Sequence, residues 1–193
     1  TEGATTTSAH LLYEIVRKLP DGAQVELYTD DDKSQLGIKS GRSKFSLPSL
    51  SREEFPVVSN ESLPNNFEIS SKDLKKLLDK TRFAISTEET RYYLNGVFFH
   101  RPESSEAPVL RSVATDGHRL AYTDCALPDG AKKIPSIIVP RKAVGELRRL
   151  LDQAEENINV ALSETQMRFQ VGSTTITTKL IDGSFPDYQR VIP

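Results

Sequence analysis

A chain of 193 residues, 37% hydrophobic and 27% charged with a formal net charge of −2, has room for one globular domain and part of another. The lone Cys125 excludes an intrachain disulfide and suits a reducing compartment. No apolar run approaches the roughly 18 residues that span a bilayer, and the opening TEGATTTSAH lacks the basic and apolar regions of a signal peptide, so a cytoplasmic protein is expected.

Hydrophobic periodicity predicts a strand, a helix and three strands, and this order recurs three times. The first copy runs from TTT into SAHLLYEIVRKL, where Leu11, Leu12, Ile15, Val16 and Leu19 keep helical spacing behind Ser8 as N-cap, then through AQVELYT, SQLGIKS and SKFSL. The second joins NFEIS to the helix SKDLKKLLDKTRF and continues as RYYLNGVFFH, PVLRSVAT and HRLAYTDC. The third takes PSIIV into PRKAVGELRRLLD, with Pro140 near the first helical position, followed by NINVAL, QMRFQV and TTITTKL. Phe55–Pro56 and Phe185–Pro186 close the first and third copies 130 positions apart, which argues for duplication. The chain begins without Met inside a repeating unit, so a fragment of a longer protein is expected.

Charge is segregated. The helices predicted over 8–19, 71–82 and 141–151 carry a net +7, leaving −9 on strands and loops. Basic helices on an otherwise acidic chain suit sequence-independent contact with a polyanion, since Lys and Arg can meet phosphates without reading bases. For any single helix, a solvated polar face explains the charge equally well.

The stretch SVATDGHRLAYTD sets Asp116, His118 and Arg119 side by side, as a hydrolase or metal site would. Yet His10, His100 and His118 are the only histidines, and none forms a two-His helical ligand pair. Neither a phosphate-cradling glycine loop nor a nucleophile elbow is present, and nothing near Cys125 in sequence would activate its thiol. No catalytic residue, metal or cofactor is expected. Asp116–Gly117 instead reads as a tight hairpin turn, with His118 and Leu120 on one face of the outgoing strand and Arg119 on the other.

TRYYLNGVFFH, VATDGHRLA, IIVPRKAVGELRRLL and LIDGSFPDYQRVIP, in this order, closely resemble the beta subunit of bacterial DNA polymerase III, the sliding-clamp family, and SGRSKFSL with the following FP resembles the end of its first domain. The resemblance implies an α+β DNA clamp fold of repeated strand–helix–strands units, with helices on one face and antiparallel sheets on the other. Residues 1–56 would be the second half of domain 1, 57–64 a linker and 65–193 the middle domain, with the third domain absent. It also implies a non-catalytic processivity factor, a homodimeric ring at full length, that encircles double-stranded DNA regardless of sequence. Partners would be the polymerase III alpha subunit, the clamp loader, and other DNA polymerases and repair proteins docking by short linear peptides.

By the same resemblance, Arg141 and Lys142 face DNA, with Arg17, Lys75, Lys76, Tyr92 and Tyr93 as further candidates. Relatives often carry a basic pair where this chain has His10–Leu11, and a glutamine can occupy the place of Glu88. The middle-domain wall of the peptide groove would comprise Arg91, Leu94, Thr115, Gly117, His118, Leu120, Pro186, Arg190 and Val191, apolar contacts rimmed by polar groups. On the residues alone, Leu94 and Leu120 could equally be core positions. The competing readings are an acid–base or metal enzyme built on Asp116 and His118, and a peptide-binding scaffold that never touches DNA.

Overall fold

The computed structural model describes residues 3–29, 34–56, 62–103 and 106–192. The chain divides into two compact units, Thr1–Ser59 and Asn60–Pro193. The division falls within the expected linker 57–64, of which residues 57–61 lie outside the described residues.

The first unit contains β1 (Thr6–Thr7), α1 (Ala9–Val16), β2 (Glu26–Thr29), β3 (Gln35–Ser40) and β4 (Ser43–Leu50), in an antiparallel sheet of order β1-β4-β3-β2. The Ser8 hydroxyl accepts the Leu11 N–H and starts the helix. The helix ends at Val16 rather than Leu19, because Pro20 disfavours α geometry in the residue before it. Leu36, Ile38 and Leu47 form a small core against Leu12 and Ile15.

The second unit contains β5 (Asn65–Ser70), α2 (Ser71–Asp79), β6 (Gly96–His100), β7 (Val109–Thr115), β8 (Leu120–Ala126), β9 (Ile137–Pro140), α3 (Arg141–Leu150), β10 (Asn157–Leu162), β11 (Gln166–Val171) and β12 (Thr174–Lys179). Its antiparallel sheets have orders β12-β11-β10-β5 and β8-β7-β6-β9. The leading strands are exchanged: β5 pairs with the third copy's β10, and β9 with the second copy's β6. Neither copy could therefore complete its own sheet. A single core joins Leu74, Leu77 and Leu78 of α2, Val144 and Leu147 of α3, and apolar residues of both sheets. Each such fully buried side chain contributes about 1.5–3 kcal/mol.

Both helices of this unit are shorter than their apolar periodicity. The Ser70 hydroxyl caps α2 by accepting the Asp73 N–H at 3.0 Å and donating to its carboxylate at 2.7 Å. At the other end the Thr81 hydroxyl bonds back to the Leu77 carbonyl at 2.7 Å. Pro140 is itself the N-cap of α3, one place earlier than expected. Arg17, Lys18, Lys80 and Arg82 consequently flank the helices, and the three helices proper carry +3 rather than +7.

RYYLNGVFFH is not one strand. Tyr92–Leu94 form a 3₁₀ turn, and β6 starts at Gly96, where a side chain would fall onto the Val139 carbonyl of the paired strand. Asn95 closes this turn by donating its amide to the Glu88 carbonyl at 3.0 Å.

Candidate DNA-facing and peptide-docking surfaces

Arg141 and Lys142 are exposed in the first turn of α3, with no ion-pair partner among the described residues. The positive end of the helix dipole adds to their charge. The Arg141 N–H donates to the Asn95 carbonyl at 2.9 Å, which sets the Tyr92–Tyr93 turn beside this helix start. Tyr92 is exposed and meets Tyr93 edge to face at 5.9 Å.

The other basic candidates are engaged. Lys75 pairs with Asp152 at 2.8 Å, and Arg148 bonds Asp79 at 2.6 Å across the α2–α3 interface. Asp152 also meets Arg148 Nη1 at 2.6 Å, and its contacts to Lys75 and Arg148 pull its carboxyl down to about 2. Lys76 donates to the Asp124 carbonyl at 3.0 Å, and Arg17, in the first unit, pairs with Glu14 at 3.1 Å.

Of the peptide-groove candidates, Thr115, Gly117, His118 and Leu120 lie at the hairpin that joins β7 to β8. Thr115 pairs with Leu120, so residues 116–119 form a four-residue loop instead of the expected two-residue turn, and His118 precedes β8. The Asp116 carboxylate causes this: Oδ1 accepts the N–H groups of both His118 and Arg119 at 3.0 Å, and Oδ2 accepts Arg119 Nε at 3.0 Å. Those backbone bonds, chiefly, hold Asp116 down to about 2. A carboxylate so committed cannot relay protons near neutrality. Gly117 at the loop tip has φ +87°. His118 is exposed, and Leu120 is half-buried on the face it shares with Thr115.

The Arg91 guanidinium reaches this loop, lying where a Cβ on Gly117 would project. A two-pronged bond to Glu88, through Nε at 2.8 Å and through Nη2, holds it there and keeps the Glu88 carboxyl below its usual range. Leu94 is 3% exposed, because the 3₁₀ turn directs its side chain inward to pack in the core.

The remaining candidates sit on the segment 185–191. Phe185 stacks on Phe98 at 4.7 Å, and Phe98 stacks on His100 at 4.7 Å. The buried Tyr188 places its hydroxyl 2.8 Å from His100 Nε2 and 3.3 Å from Arg111 Nη1, while Arg111 makes two 2.7 Å bonds to Asp124. Pro186, Arg190 and Val191 remain exposed around these anchors. Sequence reasoning missed His100, Arg111, Asp124 and Tyr188, because their meeting depends on strand register and on the return of the chain over the sheet. Cys125 is buried, and burial raises its thiol to about 11, in keeping with the inert role expected of it. Among the described residues no cluster of three or more metal-ligating side chains occurs, and no helix is long and apolar enough to cross a membrane.

The profile of the DNA polymerase III beta subunit central domain matches residues 68–187, and that of its N-terminal domain matches residues 1–59. The beta sliding clamp of Caulobacter vibrioides is 51% identical over 99% of this chain and 51% of its own length. That of Escherichia coli K12 is 40% identical over 99% of this chain and 50% of its length. A crystal structure of the Caulobacter crescentus clamp, 52% identical, superimposes with a TM-score of 0.90 over 99% of this chain and 51% of that one. The Bartonella birtlesii clamp bound to griselimycin does so at 50% identity and TM-score 0.90, over 100% of this chain and 51% of that one. The chain spans about half the length of the curated relatives it matches. With both domain profiles matched in order on an α+β clamp fold, the chain belongs to the DNA polymerase III beta subunit family.

Proposed function

We propose that this chain is part of a sliding clamp, a non-catalytic subunit of a bacterial cytoplasmic replicase. At full length it closes as a homodimeric ring around double-stranded DNA and tethers the polymerase for processive synthesis. The observation that carries this reading is 40–51% identity to beta sliding clamps over 99% of the chain. Residues 1–56 are then the second half of the first domain and 65–193 the middle domain. Arg141 and Lys142 meet phosphates, helped by Tyr92 and Tyr93; Lys75, Lys76 and Arg17 contribute less because they already have partners.

The second role is docking of the polymerase alpha subunit, the clamp loader and repair proteins by short linear peptides. Leu120, Pro186 and Val191 supply apolar contact, with Arg91, Thr115, Gly117, His118 and Arg190 around it. The Bartonella birtlesii relative solved with griselimycin bound supports ligand docking on a clamp of this kind.

Topology supplies the test. The full-length protein, loaded on duplex DNA, should persist on closed circles and leave linear DNA through its ends. Equal loss from both would overturn the clamp reading and favour a scaffold without DNA contact.

A further inference from the structure

The exposed residues of the 185–191 segment make few bonds that would fix them to the sheet. Arg190 pairs with Asp187, three residues earlier in the same turn of chain, at 2.7 Å and with 84% of its side chain exposed. Val191 is 69% exposed. What holds the segment lies beneath it. Phe185 and Tyr188, three apart, turn towards the sheet and meet Phe98 and His100 of β6, Arg111 of β7 and Tyr122 of β8.

The Tyr188 hydroxyl has two partners. Arg111 can only donate, so its 3.3 Å contact uses a lone pair of the tyrosine oxygen, and His100 Nε2 bonds the same hydroxyl at 2.8 Å in the direction its ring tautomer sets. Arg111 is itself oriented by the two-pronged Asp124 contact and lies over the Tyr122 ring at 4.7 Å. His100 is clamped between Phe98, face on, and Tyr188, edge on at 5.7 Å. A buried hydroxyl with both partners held by other groups fixes one position of the chain segment that carries it. The first Phe–Pro copy lacks this arrangement, since Phe55 is 62% exposed.

We propose that Tyr188 is the positioning residue of the peptide groove: buried beneath the segment, its hydroxyl, held by His100 and Arg111, sets the placement of the Pro186–Val191 wall. This rests on the groove reading above. A preorganised wall spares an incoming peptide the cost of ordering it, so loss of the anchor appears as weaker docking with the contact residues intact.

The test uses the full-length protein and a fluorescent peptide carrying the C-terminal residues of the replicative polymerase, read by fluorescence polarisation. Tyr188→Phe keeps the ring and its packing and removes only the hydroxyl; affinity should fall about three- to tenfold. His100→Phe should match it, whereas His100→Gln, which retains a polar partner for the hydroxyl, should stay near wild type. A general loss of packing would not spare glutamine selectively. Combining Tyr188→Phe with His100→Phe should add little, as both remove one interaction. If Val191→Ala weakens docking and Tyr188→Phe does not, the positioning role is wrong and the groove stands. If Val191→Ala and His118→Ala both leave affinity unchanged, the groove reading itself falls. Should Tyr188→Phe fold poorly, the comparison of His100→Gln with His100→Phe decides, and equal affinities for the two would overturn the role.

Discussion

The Arg91 guanidinium lies against Gly117 so closely that a Cβ on the glycine would come within 2.5 Å of Arg91 Nη1. Two stretches of chain more than twenty residues apart are thereby joined beside the β7–β8 loop. Gly117→Ala should push Arg91 aside and place an L side chain at φ +87°, lowering stability by about 1–2 kcal/mol. Urea unfolding and peptide polarisation should both register the change, and wild-type values in both would show that the contact is incidental.

Leu94 and Val191 should behave oppositely. Leu94→Ala empties a core site that is 3% exposed and should cost about 2–5 kcal/mol of stability. Val191→Ala should leave unfolding within about 0.5 kcal/mol of wild type and weaken peptide docking by up to about tenfold. Thermal melts beside binding curves separate the two, and a stability loss at Val191 comparable to that at Leu94 would contradict the exposed placement.

His118→Ala and Arg190→Ala should weaken docking by a few fold, as rim substitutions commonly cost about 1 kcal/mol or less. Both side chains are exposed, so the melting temperature should not move. Unchanged peptide affinity in both would remove them from the groove.

On duplex circles, Arg141→Ala and Lys142→Ala should each reduce the slope of log affinity against log salt by about 0.9 for every phosphate that the protein no longer neutralises. Lys75→Ala should do less, because Asp152 already neutralises that ammonium at 2.8 Å. Asp152→Asn should act in the opposite sense, releasing Lys75, while Asp79 still holds Arg148, and strengthening salt-sensitive retention. A Lys75 effect as large as that of Arg141 would show that the ion pair does not shield it.

His100 gives stability a pH dependence. Burial first, and then the Arg111 charge, push its pKa below the ordinary 6.5; Asp124 opposes this, and so does a hydrogen bond to the Arg101 backbone. Between the two values the unfolded chain binds a proton that the folded chain refuses, so stability is whole above about 6.5 and falls as pH drops towards the folded value. Asp116 and Asp152, held at about 2, titrate well below this window. Urea midpoints at pH 7.5 and 5.5 should differ for the wild type and differ less for His100→Gln; an equal drop in both would assign the effect to another group.

Local chemistry was legible where neighbours in sequence are neighbours in space. Ser8 caps the helix it precedes, and Asp116 serves its loop rather than proton transfer. The α+β class, the three repeated units and the family followed from the order of periodic segments and from long motifs. Length was less legible: apolar spacing persists beyond Val16 and Asp79, but Pro20 and the Thr81 back-bond end the helices there. The same holds at RYYLN, whose residues suit a strand while Gly96 alone satisfies the close approach of β9.

By itself the sequence determined the order of helical and extended segments, RYYLN apart, and that Asp116–Gly117 lies in the connection between β7 and β8, because these depend on side-chain periodicity and short-range hydrogen bonds. Only the tertiary structure decided that β5 and β9 exchange partners, that Asp152 pairs with Lys75 and leaves it less charge to offer than Arg141, and that His100 and Arg111 hold the Tyr188 hydroxyl. Those contacts join residues up to 97 positions apart. Periodicity assigns a residue to a face, whereas its partner on that face is chosen by strand register and chain return.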